Sequence, residues 1–160
     1  MKPMLAFKCR LLLLGALLTV LIPAFGSAQS FCVQLSNDLG IERSVPVNLG
    51  GMLRLSFRHS IYGSQVEEVF SLAPGGFQLR QLRYSEARLV EFYGHESASR
   101  DNDAWVVTPA PIHLSSLNLK SSSDAMFVRF DESAFAKQLL IPPAGALRLT
   151  VASCDQGANG

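Results

Sequence analysis

The amino-acid sequence predicts an all-β fold, an antiparallel β-sandwich or flattened barrel with at most one short helix, and three features predict it. Apolar residues recur at every second position, as in Met52-Leu53-Arg54-Leu55-Ser56-Phe57 and Ala146-Leu147-Arg148-Leu149-Thr150-Val151, which is the period of strands that bury one face. Residues suited to reversing the chain separate many of these runs, at Pro74-Gly75-Gly76, Ser121-Ser122-Ser123-Asp124 and Pro142-Pro143-Ala144-Gly145. Short strands at such spacing are the material of sandwiches and barrels.

Taken in order, residues 1–28 read as a cleavable signal peptide. Lys2, Lys8 and Arg10 flank an apolar run from Leu11 to Leu21, and Gly26 and Ala28 supply the small residues of a cleavage site. The apolar stretch contains Pro23, ends at Phe25 and falls short of the roughly 20 residues that a spanning helix needs. Cys32 follows Gln29-Ser30-Phe31 rather than the small and aliphatic residues of a lipoprotein site, so no membrane anchor is expected after cleavage. Residues 29–160 are then expected to form a single β-rich domain in the periplasm or another extracytoplasmic compartment, large enough to bury a core without metals.

Strands are expected at Phe31 to Ser36, Met52 to Phe57, Val66 to Ala73, Phe77 to Tyr84, Trp105 to Thr108, Ile112 to Lys120, Met126 to Phe130, Lys137 to Ile141 and Ala146 to Val151. One segment departs from the pattern: Ser85 is suited to cap a short helix in which Leu89, Phe92 and Tyr93 share a face and Gly94 ends the turn. The polar stretch from His95 to Asp103 reads as an exposed loop, and Trp105 beside Val106 and Val107 reads as core.

Composition narrows the function. Losing the leader removes three of the 14 basic residues and none of the 13 acidic ones, leaving 11 against 13 and a formal charge of −2, which does not steer the protein to nucleic acid. Cys9 leaves with the leader, so Cys32 and Cys154 remain near the two ends; an even pair in an oxidising compartment reads as a disulfide. In the chain-entropy model, closing a loop of that length contributes about 4 to 5 kcal/mol.

No catalytic constellation emerges. The chain has no phosphate-binding glycine loop, no G-x-S-x-G elbow and no paired C-x-x-C. His95-Glu96 begins like a zinc-protease helix, but position 99 is Ser where the second His is required. His59, His95 and His113 lack ligand spacing, so neither a metal nor another cofactor is expected.

The most informative stretch runs from His59 to Phe70. Gly63-Ser64 between two strand patterns reads as a two-residue type II′ loop, which sets Ile61 opposite Val66, His59 opposite Glu68, Phe57 opposite Phe70 and Leu55 opposite Leu72. A four-residue loop from Tyr62 to Gln65 would leave that pairing intact. His59 and Glu68 are then a cross-strand polar pair on the buried face, ordering the fold more than performing chemistry, while Ser60 and Glu67 point the other way.

At these residues the chain resembles the domain of unknown function 1850 family of exported bacterial proteins. The likeness lies in His59-Ser60 followed by Glu67-Glu68 and Phe70, the preceding run Leu53 to Arg58, and the cysteine-bearing strands at both ends. Where other members often carry a Gly-rich segment after the third strand, this chain has Ser85 to Gly94. Members are commonly encoded beside tripartite ATP-independent periplasmic transporters, so the resemblance implies an accessory role in solute uptake and supplies no reaction.

The expectation is therefore a non-enzymatic module that binds a transporter component or a small solute, with His59, Ser60, Tyr62, Glu67 and Glu68 as binding candidates and a cleft near Tyr62 and the loop from His95. The alternative is a small periplasmic hydrolase using His59 with Ser60 or a carboxylate. Neighbours on a strand face opposite sides, so His59 is poorly placed to activate Ser60, which argues against it.

Overall fold

The computed structural model describes residues 30–40, 42–121, 124–131, 138–142 and 144–154. The expected leader, Lys137, and Ser122, Ser123 and Pro143 of the expected turns lie outside them. Along the chain the elements are β1 (Phe31–Ser36), β2 (Glu42–Val47), β3 (Met52–Arg58), β4 (Gln65–Ala73), β5 (Gly76–Tyr84), α1 (Ala87–Phe92), β6 (Ser99–Asp101), β7 (Ala104–Val107), β8 (Ile112–Leu114), β9 (Ser116–Lys120), β10 (Met126–Phe130), β11 (Gln138–Ile141) and β12 (Ala146–Ser153).

Strand alternation decides how these elements layer. A small sheet runs β2-β1-β12-β9, and a large one runs β11-β10-β3-β4-β5-β7-β6, with β8 paired to the free stretch of β5 beside β7. All pairings are antiparallel, and neither sheet closes on itself. The inward residues of both sheets meet in one core, where Leu53, Leu55, Phe70, Phe77, Val128 and Phe130 of the large sheet face Val33, Leu35, Leu117, Leu149 and Val151 of the small one. This is the expected sandwich, with one short helix.

The ends of the domain are tied at β1 and β12. Cys32 and Cys154 stand at disulfide distance, with sulfurs 2.02 Å and Cα atoms 5.0 Å apart, and Cys154 N donates to Ser30 O beside them.

The structure corrects the expected elements at several points. The run from Ile112 to Lys120 is expected as one strand, but the chain bends at Ser115 and passes from the large sheet (β8) to the small one (β9). The apolar phase slips by one residue across Ser115-Ser116, from Ile112 and Leu114 to Leu117 and Leu119, and the slip coincides with the change of sheet. β2 lies in a polar stretch containing Pro46, which strand patterning passes over; it is tolerated because β2 is an edge strand with one partner, β1. The stretch from His95 to Asp103 is only partly a loop, since Ser99–Asp101 pairs with β7 as β6, and Asn102 takes the positive φ (51°) of the turn between them. The N-cap of α1 is Glu86, not Ser85. Ser85 instead accepts a hydrogen bond from Gln65 N at its Oγ (3.0 Å) and donates its own backbone N–H to Gln65 O (3.0 Å), clasping the start of β4.

The largest correction concerns the hairpin of β3 and β4. Leu53 pairs with Phe70, Leu55 with Glu68, Phe57 with Val66 and Arg58 with Gln65, so His59 does not face Glu68. The loop is Ser60 to Gly63: Gly63 N donates to His59 O and His59 N donates to Ser64 O, both 2.8 Å. This is a single α-turn closed by Gly63 at φ 66°. Gly63 therefore ends the turn in the left-handed region instead of opening a type II′ turn; both roles need a positive φ. The slip is by an even number of residues, so the paired side chains keep their expected faces, while Ile61, expected opposite Val66 on the buried face, falls in the turn and is exposed.

Candidate functional site

Beyond the main core, the large sheet extends past the small one and is covered there by α1. Val66, Tyr84, Leu89, Val90 and Val107 form this second cluster, with Phe57, Tyr62, Leu82 and Trp105 packed against it. Leu89 and Val90 are the buried residues of α1, whereas Phe92 and Tyr93 at its end are 48% and 44% exposed. The helix thus anchors through its middle and presents two aromatic rings.

These rings join others from the hairpin tip and β5. His59, buried beneath the turn, stacks on Tyr62 (centroids 5.2 Å apart) and meets the rings of Phe92 (4.9 Å) and Tyr93 (5.7 Å) edge to face. Tyr93 also stacks on Tyr84 at 5.5 Å, and Tyr84 shares a 2.9 Å hydrogen bond between its hydroxyl and Nε2 of His95. Such arrangements are individually worth about 0.5–1.5 kcal/mol beyond burial. Ile61, 69% exposed, and the guanidinium of Arg88, 4.6 Å over the Tyr62 ring, complete the rim. The hairpin tip at Tyr62 and the loop from His95, separate in sequence, are joined through this chain of rings.

His59 supports the turn. Its Nδ1 accepts long hydrogen bonds (3.4 Å each) from the backbone N–H of Ile61 and Tyr62, so that nitrogen is the acceptor and the ring proton belongs on Nε2. Ser60 is exposed and has no side-chain hydrogen bond among the described residues. Ser64 is buried, and its Oγ donates to Glu86 Oε1 at 2.6 Å, pinning the hairpin to the start of α1. Arg88 pairs with Glu86 at 2.5 Å, so its charge is compensated.

Glu67 and Glu68 part company across the sheet. Glu67 is on the outer face, where Arg54 (2.9 Å) and Arg83 (3.5 Å) flank its carboxylate and Ser56 Oγ donates to it at 3.4 Å. The ladder continues from Arg83 to Asp101 (2.8 Å) and from Arg54 to Asp131 (2.5 Å), which also takes Arg129 (2.9 Å). Partial burial alone would raise the Asp131 carboxyl, but the bonds from Arg54 and Arg129 outweigh it and hold Asp131 below the usual carboxylate range.

Glu68 is on the inward face, between Leu55 of β3 and Leu82 of β5, where the sandwich core gives way to the cluster under α1. Burial pushes its carboxyl above the ordinary range. Burial likewise raises the phenols of Tyr84 and Tyr93, and the nearby Glu68 charge adds to the rise in both. Among the described residues no hydrogen bond or ion pair holds the Glu68 carboxylate. No buried side-chain oxygen is left without a partner there, so its oxygens reach solvent.

Of the sequence candidates, His59 and Tyr62 come together, Glu68 lies under the same cover, Ser60 points away, and Glu67 belongs to the charge ladder on the opposite face. Sequence reasoning did not single out Tyr84 or Arg88 for this site, and placed Phe92 and Tyr93 only on a helix face. A helical spacing marks residues that share a side but not which of them stay exposed. No protein-family model matches the chain, and no curated protein and no solved structure matches it.

Proposed function

We propose that the protein is an exported, non-enzymatic binding module that engages a small solute or a component of a solute-uptake transporter at the aromatic end of its large sheet. The observation that carries this is the exposure of Phe92 and Tyr93, whose rings meet each other and the ring of His59, next to the exposed hairpin tip at Ile61. Exposed apolar residues gathered in one place are a common mark of a binding surface. The signal-like leader and the cysteine pair at disulfide distance support an extracytoplasmic setting, and resemblance to the domain of unknown function 1850 family supports the link to a transporter.

The hydrolase alternative fares worse at the same residues. Nδ1 of His59 is occupied by turn amides, Ser60 is turned to solvent, and Ser64 is bonded to Glu86 without a histidine partner. Nucleophilic catalysis needs a hydroxyl within reach of a base.

The test is co-purification of the tagged exported protein with the periplasmic and membrane subunits of a transporter, alongside thermal-shift screening against small solutes. Recovery of a transporter subunit, or a solute-dependent shift, that disappears in Phe92→Ala/Tyr93→Ala supports the proposal. Neither signal, or ester hydrolysis abolished by His59→Ala, overturns it.

A further inference from the structure

We infer that a cleft between the two sheets, on the side where β2 and β11 are edge strands, takes a small organic acid with a short apolar tail, its carboxylate on Arg43 and its tail against Leu35, Leu139 and Leu147. This site shares no residue with the aromatic end and goes beyond the reading above.

The cleft measures about 190 Å³ and is lined by Leu35, Asn37, Arg43, Leu139, Leu140 and Leu147. Its walls continue the core: Leu35 belongs to the main cluster, and Leu139 of the large sheet and Leu147 of the small one pack against it. Arg43 pairs with Leu35 across β1 and β2, so alternation sets it on that same inward face, two residues before buried Val45. It is exposed at the mouth and has neither a carboxylate nor a hydrogen-bond partner among the described residues. Other arginines show the contrast. Arg54, Arg83, Arg88 and Arg129 hold carboxylates, and Arg58, Arg80 and Arg100 hold carbonyl or hydroxyl oxygens. Arg148 shares the condition of Arg43, but the groove it lines is mostly polar, with Gln34, Ser36 and Thr150. No acidic residue lines the cleft at Arg43.

Apolar walls offer water few hydrogen bonds, so an apolar group that displaces it gains affinity. A guanidinium at the mouth matches the fork geometry of a carboxylate. Together these features ask for an amphiphilic anion, and size selects a short one: at about 30 Å³ per water, the cleft has the room of roughly six waters, or of a chain of about four to six carbons. A cation would meet Arg43, a neutral hydrocarbon would leave the guanidinium unused, and a long acyl chain would protrude. An inward charge also keeps an edge strand from pairing with another chain, but that role requires no leucine cleft.

The experiment is a titration of the exported protein, with methyl-labelled leucines followed by NMR, against hexanoate, its uncharged counterpart hexanamide, and acetate, which lacks the tail. Hexanoate should shift the methyls of Leu35, Leu139 and Leu147 saturably, with hexanamide and acetate roughly tenfold weaker or worse. Arg43→Gln should weaken hexanoate by a similar factor while melting as the native protein does, because Arg43 is exposed. Arg43→Lys should keep part of the binding, as a cation without the fork. Phe92→Ala/Tyr93→Ala should leave hexanoate binding unchanged, so that this inference and the aromatic site fail independently. Equal binding of hexanoate and hexanamide, unchanged binding in Arg43→Gln, shifts confined to methyls outside the cleft, or no saturable binding overturns the inference. If Arg43→Gln makes the protein self-associate while hexanoate binds neither form, Arg43 guards the β2 edge and the inference falls.

Discussion

Tyr84 and His95 share a 2.9 Å hydrogen bond between the phenol hydroxyl and Nε2, and through it the loop after α1 is fastened to the most buried aromatic residue of the large sheet's covered end. Tyr84 is only 2% exposed, so its hydroxyl needs this partner. Tyr84→Phe and His95→Ala should each destabilise by about 1 kcal/mol or somewhat more, and the double variant by less than the sum. Denaturant melts of the three variants measure the coupling; strictly additive losses would mean that the bond does not hold the loop.

Glu68 makes stability depend on pH in a direction opposite to most carboxylates. Burial raises its folded-state pKa, so the fold favours the protonated form. Its contribution is therefore complete below the ordinary carboxylate range and is lost as the pH rises through the raised value. Glu68→Gln, a permanent mimic of the neutral acid, should melt a few degrees higher than the native protein at pH 7–8, roughly what 1 kcal/mol produces in a domain of this size, and the gain should vanish near pH 4. Melting curves across that range decide, and a difference independent of pH contradicts the assignment.

Across the sheet, Glu67 lies directly opposite Arg83 and diagonal to Arg54. Its side chain is three-quarters buried, and removing the charge leaves the guanidiniums of Arg54 and Arg83 without it. Glu67→Gln should cost about 1 kcal/mol in dilute buffer, with the penalty shrinking near 1 M salt as screening shortens the range of the interaction. A penalty insensitive to salt would point to packing in place of charge.

Cys32 and Cys154, 122 residues apart in sequence, close nearly the whole domain into one loop. Mass spectrometry of unreduced peptides from exported protein should find them linked, and Cys32→Ala/Cys154→Ala should lower stability by about 2–5 kcal/mol. Free thiols at both positions in exported material would contradict this.

The period of the strands and the face of each side chain were legible in the sequence, because both follow from local alternation. Leu53, Leu55, Phe70 and Leu149 are core for that reason, and Glu67 and Glu68 separate to opposite faces for the same reason. The Pro74-Gly75 turn, the helix stop at Gly94 and the partner of Cys32 were also readable, since each depends on the conformational or chemical character of one or two residues. The rest was decided by contacts between distant segments. Gly63 has a positive φ in either turn type, so its identity could not choose the loop; Ser64 bonded to Glu86, and Gln65 clasped by Ser85, accompany the register actually adopted. Ser115 turns the chain from one sheet to the other, and the one-residue slip of the apolar phase at Ser115-Ser116 marks the place without saying which sheet the second half joins. The aromatic site is likewise a product of tertiary structure: His59 of the hairpin turn, Tyr84 of β5, Tyr93 at the end of α1 and His95 of the loop after it come together only because the large sheet outruns the small one and α1 folds over the excess. Alternation sets which way a side chain points, but how far one sheet extends beyond another depends on long-range pairing, which no local pattern encodes.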